Sequence, residues 1–142
     1  MVAVGGDVVL LGSHGIDVIP DEYPGEGPLG GIVTALRSLG HQPGIDAVVV
    51  VACDLPNLGG ATVGALVSAL SAPFQAAVAI PMGANRPALC GAWSPAAATP
   101  LAAAFAAGER RVRVALDEIP HVMVHVDPAE LRNVNAPDDL GQ

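Results

Sequence analysis

A single carboxylate, Asp54, directly follows the most apolar run of the chain and is the first candidate for chemistry. The run 47–52 contains four consecutive valines, which predicts a strand covered on both faces, as in a parallel α/β sheet. A carboxylate at the end of such a strand can hold Mg²⁺ while substrate phosphates supply further ligands. It can also cap the turn that follows at Leu55 and Pro56. The apolar strand before it favours the metal-binding role.

A glycine-rich segment, residues 25–31 (Gly-Glu-Gly-Pro-Leu-Gly-Gly), opens a helix. Pro28 suits the first helical position and Gly40 the end. The apolar residues of this helix recur with the spacing of one buried stripe, at Leu29, Ile32, Val33 and Leu36. Glycines at a helix start let a ligand approach the backbone amides. They equally fit a tight turn with close helix packing, and the pattern leaves both roles open.

Two polar pairs complete the candidate residues. Asn133 and Asn135 alternate in an extended segment, so their amides point the same way and can bind one ligand. An Asx turn and a helix cap explain them equally well. Arg86 precedes a proline and Arg110 follows Gly108, and arginine forks bind phosphate oxygens. The alternative for both arginines is an ordinary solvated surface.

The elements that must position these residues alternate along the whole chain. Residues 8–11 are apolar but too short to assign, and no linker or repeat interrupts residues 1–142, so we expect a single domain. The alternation predicts an α/β fold with a Rossmann-like, doubly wound, mostly parallel sheet, in which ligands bind beyond the carboxyl ends of the strands. The predicted elements are strands 2–4 and 16–19, helix 28–40, strand 47–52, helix 63–70, strands 76–80 and 88–93, helices 95–107 and 110–116, and strand 121–126.

Composition excludes several classes of function. The net charge is −8, all six basic residues are arginines, and there is no lysine, which argues against nucleic acid or an anionic membrane as partner. The apolar runs 47–53 and 101–107 are far shorter than the roughly 20 residues of a membrane span, and no basic region precedes the N-terminal apolar stretch, so no signal peptide is expected. Cys53 and Cys90 are predicted to be small core residues in a reducing cytoplasm.

In this order, the segments resemble the molybdenum cofactor guanylyltransferases, the MobA-like nucleotidyltransferases, over nearly the whole chain. Each matching piece is weak alone, and their shared order makes the resemblance specific. The pieces are Asp21, Gly-Pro-Leu-Gly-Gly at 27–31, Cys-Asp-Leu-Pro at 53–56, Arg-Pro-Ala-Leu at 86–89, Ala-Gly-Glu-Arg-Arg at 107–111, and Asn-Val-Asn-Ala-Pro-Asp-Asp-Leu at 133–140.

The resemblance implies transfer of GMP from GTP to molybdopterin, with Mg²⁺ and release of pyrophosphate. It implies that Asp21 contacts the guanosine part of GTP and that Asp54 holds the metal. The loop expected to lie against the nucleotide consists of Gly27, Pro28, Leu29 and Gly30.

For the acceptor, the resemblance places Asn133 and Asn135 near the pterin. Catalysis would be electrostatic: Asp54 with its metal, together with Arg86 and Arg110, would stabilise the charge that develops during in-line attack on the α-phosphorus. The implied partners are the small-molecule substrates, with molybdoenzymes or cofactor-biosynthesis proteins as protein partners.

The sequence departs from the family at its beginning. The family starts with a strand, a Gly-rich loop that ends in Arg-Met-Gly and a lysine, and a helix, a unit of roughly 30 residues. We expect that this chain is a shortened gene product, that it does not transfer GMP by itself, and that its sheet has exposed edges. Three alternatives remain: cytidylyl transfer to the same cofactor, a degenerate molybdopterin-binding or cofactor-delivery module without catalysis, and a structural remnant.

Overall fold

Strands and helices alternate in the computed structural model, which describes residues 1–82 and 88–134. A short 3₁₀ turn at Pro95–Ala97 leads into the fourth helix. The α/β class predicted from the sequence is confirmed. The elements are β1 (Val2–Val4), α1 (Val8–Ser13), β2 (Asp17–Ile19), α2 (Pro28–Leu39), β3 (Val48–Val51), α3 (Gly60–Ser68), β4 (Ala76–Pro81), β5 (Cys90–Trp93), α4 (Ala98–Ala106), α5 (Val112–Leu116) and β6 (His121–Val126).

The strands form a four-stranded sheet in the order β3-β5-β4-β6 and a separate parallel pair, β1-β2. Because β5 is antiparallel to both β3 and β4, and β6 is parallel to β4, three of the four strands run in one direction. The predicted Rossmann-like, mostly parallel architecture is confirmed, with β5 as the reversed strand.

Helix α2 supplies the main core on one side of the sheet. Its predicted stripe of Leu29, Ile32, Val33 and Leu36 is fully buried, with each side chain at most 1% exposed. These residues pack in one cluster with side chains from β5, α4 and α5, namely Trp93, Leu101, Phe105 and Leu116. A second cluster contains Leu66 of α3, Cys90 of β5, Val126 of β6 and Leu131, which follows β6. The sheet therefore packs against α2 in one cluster and against α3 in the other.

Strand β3 is less covered than its four valines predict. Val48 is buried, but Val51 is 37% exposed. The physical reason is position: within the described residues β3 pairs only with β5, so it is an edge strand. Strand β1 likewise pairs only with β2, and α2 contacts both β1 and β3.

Two further predictions, the burial of Cys53 and the buried face of α3, needed correction. Cys53 is exposed because it lies in the turn two residues after the end of β3 rather than in the core, whereas Cys90 is buried in β5. In α3 the buried residues are Thr62 and Leu66. Val67 is 41% exposed because it lies about 100° around the helix from Leu66.

The unassigned apolar segment after β1 is helix α1. Asp7 caps this helix: its Oδ1 accepts hydrogen bonds from the amides of Val9 (2.9 Å) and Leu10 (3.0 Å). The helix buries none of its side chains. No helix in the two described stretches is long and apolar enough to cross a membrane.

Candidate functional site

The end of β3 and the segment after β6 meet at Asp54. The amide of Asn133 donates from Nδ2 to Asp54 Oδ2 at 2.9 Å, and the Val134 N–H donates to the Asp54 carbonyl oxygen at 2.9 Å. Nearby, Glu130 Oε2 accepts the Gly59 N–H at 2.8 Å. These contacts join positions about 70 to 80 residues apart in sequence, and they bring Asp54 and Asn133, which the sequence singled out separately, into one site.

The other carboxylate oxygen of Asp54 has an unusual environment. Asp54 Oδ1 is buried and has no hydrogen-bond partner among residues 1–82 and 88–134. An unsatisfied buried carboxylate oxygen costs free energy unless a donor or a cation compensates it. Carboxylate oxygens are preferred ligands of Mg²⁺, so Asp54 fits the metal that the sequence predicts. The described residues contain no cluster of three or more His, Cys, Asp or Glu side chains suited to a metal, so water and substrate oxygens would complete its coordination.

Asp21 is oriented by the first half of the loop between β2 and α2. Its Oδ1 accepts hydrogen bonds from the Tyr23 N–H at 3.0 Å and from the hydroxyl of Thr34 at 3.3 Å. The same hydroxyl accepts the Glu22 N–H at 3.2 Å, and Thr34 is fully buried within α2. The Asp21 carboxylate is thus held by one oxygen against the helix.

Helix α2 begins without a side-chain cap. Gly27 is the N-cap residue with φ +91°, and no side chain accepts the amides of the first turn. Such amides carry partial positive charge and form a natural site for an anion. Gly27 and Pro28 are exposed at this helix start. They are therefore placed where a phosphate group could reach them.

Leu29 and Gly30 have a different role from the exposed part of the motif. Leu29 is fully buried in the core. A Cβ at Gly30 would lie 2.9 Å from the Cβ of Tyr23 and 3.4 Å from the Phe105 ring. Gly30 therefore lets the loop and α4 pack closely on α2, which is the packing alternative considered for this motif. Toward a ligand, these two residues can offer only their backbone.

Arg110 lies against the same loop. Its guanidinium forms an ion pair with Glu26 at 2.6 Å and stacks on the Phe105 ring, with Cζ 3.9 Å from the ring centroid. No sequence pattern marks Glu26 or Phe105 as partners of Arg110, apart from the position of Glu26 between two glycines. Arg86 and Asn135, the two remaining predicted site residues, lie outside the described residues.

The start of α2 is linked to the end of β3 through Leu89, the residue before β5. Pro28 and Leu89 line one cavity of about 230 Å³, which Arg113 also lines. The Leu89 carbonyl oxygen accepts the Ala52 N–H at 2.8 Å, two residues before Asp54.

A larger cavity, about 900 Å³, lies elsewhere, between α4 and α5. Its polar rim includes Glu109 and Arg111, which form an ion pair at 3.0 Å. Hydrogen bonds from the Arg111 side chain and backbone lower the pKa of Glu109 to about 2. Because its charges are paired locally and its floor consists of small apolar residues, this cavity adds no catalytic groups to the site at Asp54.

Comparison with known proteins places residues 1–123 within the family model described as the MobA-like NTP transferase domain. The chain is 35% identical over 151 residues to the probable molybdenum cofactor guanylyltransferase of Chloroflexus aggregans, and covers 69% of that protein. It is 34% identical over 149 residues to the molybdenum cofactor guanylyltransferase of Rhizobium johnstonii, again covering 69% of the relative. These matches include 94% and 98% of the present chain.

Solved structures show the same fold. A protein from Aquifex aeolicus superposes with a TM-score of 0.76 at 22% identity, over 94% of this chain and 69% of that one. The molybdopterin-guanine dinucleotide biosynthesis protein A of Archaeoglobus fulgidus superposes with a TM-score of 0.72 at 24% identity, over 96% of this chain and 73% of that one.

Proposed function

Because the chain belongs to the MobA-like NTP transferase family, we propose that its site serves transfer of GMP from GTP to molybdopterin, with release of pyrophosphate. The observation that carries this proposal is the buried Asp54 Oδ1, which has no hydrogen-bond partner among the described residues, beside the Asn133 amide. A cation held there would neutralise triphosphate charge at the end of β3. We place the reaction in the cytoplasm, as the sequence predicts.

In this proposal each group has a distinct task. Asp54 holds Mg²⁺, which supplies positive charge for the phosphates and polarises the phosphoryl oxygens. The exposed Gly27 amide and the partial positive charge at the start of α2 bind phosphate oxygens. Asp21, held by Thr34, accepts hydrogen bonds from the guanosine part of the nucleotide. Catalysis is then mainly positioning and electrostatic stabilisation.

For the acceptor half of the reaction, Asn133 and Asn135 bind the pterin, as the sequence predicts. Arg86 helps to stabilise the charge that develops on the α-phosphate. Molybdoenzymes or other cofactor-biosynthesis proteins would receive the product. Since the chain has no lysine, a lysine contact to the triphosphate cannot come from it, and we expect turnover by the chain alone to be weak or undetectable.

Binding of GTP in the presence of Mg²⁺ is therefore the decisive measurement, made by calorimetry and thermal unfolding. At a ligand concentration ten times Kd, binding should stabilise the protein by about 1.4 kcal/mol, which raises Tm by about 4–7 °C for a domain of this size. Asp54→Asn should abolish the Mg²⁺-dependent part of this shift. Asp117→Asn, which removes an exposed carboxylate on α5, is the matched control and should behave as the unmodified chain.

The outcomes separate the alternatives. Absence of any Mg²⁺-dependent GTP binding, or an equal loss in both variants, contradicts the proposal. Tighter binding of CTP than GTP identifies cytidylyl transfer. Binding of molybdopterin without any nucleotide binding identifies a cofactor-delivery module, and binding of neither identifies a structural remnant. Rapid GMP transfer by the purified chain would refute the expected low turnover.

A further inference from the structure

We propose that Arg110 is a positioning residue for the nucleotide half of the site, acting through Glu26 on the loop 20–27, rather than a group that contacts phosphate. This inference rests on the proposed function, because the loop contains Asp21 and leads into the start of α2. It assigns to Glu26 and Arg110 the task of keeping these two elements in place. The resemblance alone placed Arg110 among the catalytic residues.

The hydrogen-bonding groups of Arg110 are occupied within the protein. Its Nε and Nη2 donate to Glu26 Oε2 at 2.9 and 2.6 Å. Its Nη1 donates to the carbonyl oxygens of Phe105 (2.7 Å) and Glu109 (3.0 Å). One face of the guanidinium covers the Phe105 ring. All three nitrogens therefore have acceptors, and a phosphate would have to compete with a carboxylate already in contact.

The loop is shaped to present Glu26 to Arg110. Gly25 and Gly27 both have left-handed backbone conformations, with φ +78° and +91°, and no atom lies within 4 Å of the position that a Cβ would occupy. These glycines are thus needed for their dihedral angles and not for space. The chain between them directs the Glu26 carboxylate across to the connection between α4 and α5.

A second arginine holds the other half of the same loop. Arg37, in the last turn of α2, donates from Nη1 to Glu22 Oε2 at 2.8 Å and to the Tyr23 hydroxyl at 2.7 Å. The Tyr23 ring lies 4.4 Å from the Phe105 ring, measured between centroids. Arg110 therefore contacts Phe105 directly, and Arg37 is connected to it through Tyr23. With the loop fixed on both sides, Asp21 and the amides of the α2 start keep one relative arrangement.

The test compares Glu26→Gln, Arg110→Gln and the double variant with the unmodified chain, using Glu118→Gln as a matched control on α5. Two quantities are measured for each: the hydrogen-exchange rates of the loop amides, and Kd for GTP with Mg²⁺. The energy of a partly exposed ion pair corresponds to about two- to fivefold in an equilibrium. In each single variant, the exchange rates of the loop amides and the Kd for GTP should both rise by about that factor.

The comparison between variants distinguishes positioning from direct contact. If Arg110 acts through Glu26, the two single variants have similar effects on Kd and the double variant is no worse than either. If Arg110→Gln weakens GTP binding by more than about tenfold over Glu26→Gln, Arg110 contacts the nucleotide and the proposal is wrong. Unchanged amide exchange in both variants would show that the contact between Glu26 and Arg110 does not hold the loop.

Two further outcomes keep this proposal separable from the proposed function. Faster exchange of the loop amides with an unchanged Kd for GTP would show that Glu26 and Arg110 hold the loop but do not affect nucleotide binding. That result overturns the positioning role. If the unmodified chain binds no GTP, the proposed function fails together with the nucleotide role of Arg110. The exchange data then still decide whether Glu26 and Arg110 hold the loop. Glu118→Gln should change neither quantity, because among the described residues the Glu118 carboxylate forms no hydrogen bond or ion pair with the loop.

Discussion

Replacing either of two adjacent glycines of α2 by alanine should change the stability of the protein in opposite directions. Gly30 faces the loop and α4: an added Cβ would lie 2.9 Å from the Cβ of Tyr23, an atom close to the backbone that cannot move aside easily. Gly31 is one position further along the helix, and no atom lies within 4 Å of its added Cβ. Both are helical, so the conformational benefit of alanine is similar at the two sites.

The expected magnitudes follow from these contacts. Replacing a helical glycine by alanine without a clash gains about 0.5–1 kcal/mol, so Gly31→Ala should stabilise the protein by that amount. Overpacking costs about 1–3 kcal/mol, so Gly30→Ala should be net destabilising by about 0.5–2 kcal/mol. For a domain of this size, 1 kcal/mol corresponds to about 3–5 °C in Tm. The two variants should therefore shift Tm in opposite directions.

The assay is thermal and urea unfolding of both variants under the same conditions, with unchanged m-values as the check that the denatured state is the same. Loop amide exchange should rise in Gly30→Ala, because Tyr23 must move. It should stay unchanged in Gly31→Ala. If Gly30→Ala is as stable as Gly31→Ala, the close packing of α2 against the loop is not what requires glycine there. The alternative explanation, that Gly30 allows a ligand to approach the backbone, would then be favoured.

Three other predictions address the remaining features. Hydrogen bonds from Arg111 lower the pKa of Glu109 from 4.5 to about 2, so the stability that this carboxylate contributes is present above pH 4.5 and is lost as the pH falls toward 2. Glu109→Gln should flatten that part of the acid-unfolding curve, and an unchanged curve contradicts the assignment. Burial raises the pKa of the Cys90 thiol to about 11, so a thiol reagent at pH 8 should label only the exposed Cys53 before unfolding; labelling of both at equal rates refutes the burial. The outer edges of β1 and β3 are unpaired within the described residues, so sedimentation should show concentration-dependent association, and a monomer at high concentration contradicts this.

The sequence predicted the elements whose pattern reflects burial. In α2 the apolar spacing, Pro28 and Gly40 identified the helix and its buried face, because a single helix face against a sheet imposes a simple period. In β6 the alternation of Val122, Val124 and Val126 identified a half-exposed strand in the same way. Each of these signals is local, so the sequence displays it directly.

Strand β3 shows where this reasoning fails. Four valines in a row indicate a strand, but they do not show how many neighbours it has. The exposure of Val51 depends on strand order, and strand order is set by contacts between distant segments. In α3, the residues Val63 and Val67 fit the helical period as well as Thr62 and Leu66 do, and only the orientation of the helix on the sheet selects between them.

The candidate site was predictable in its members and less so in their roles. Asp54 and Asn133 are polar residues at the ends of apolar segments, which marks them in the sequence, and the structure joins them at 2.9 Å. Arg110 is marked equally well, yet its contacts to Glu26 and Phe105 depend on loop geometry that no spacing rule encodes. Gly30 lies in the glycine-rich segment 25–31, which the sequence marks for ligand binding, but its role in the structure is close packing against Tyr23.

The two unsatisfied groups of the candidate site have opposite sign. Among the described residues, Asp54 Oδ1 is a buried acceptor without a donor, and no side chain caps the start of α2 at Gly27. A protein that bound nothing there would gain stability from an uncharged residue at position 54. A cation bound to an anion, such as Mg²⁺ with a triphosphate, would compensate the carboxylate and the helix start together. If Asp54→Asn raised stability without weakening GTP binding, this complementarity would be accidental and the nucleotide assignment would lose its physical basis.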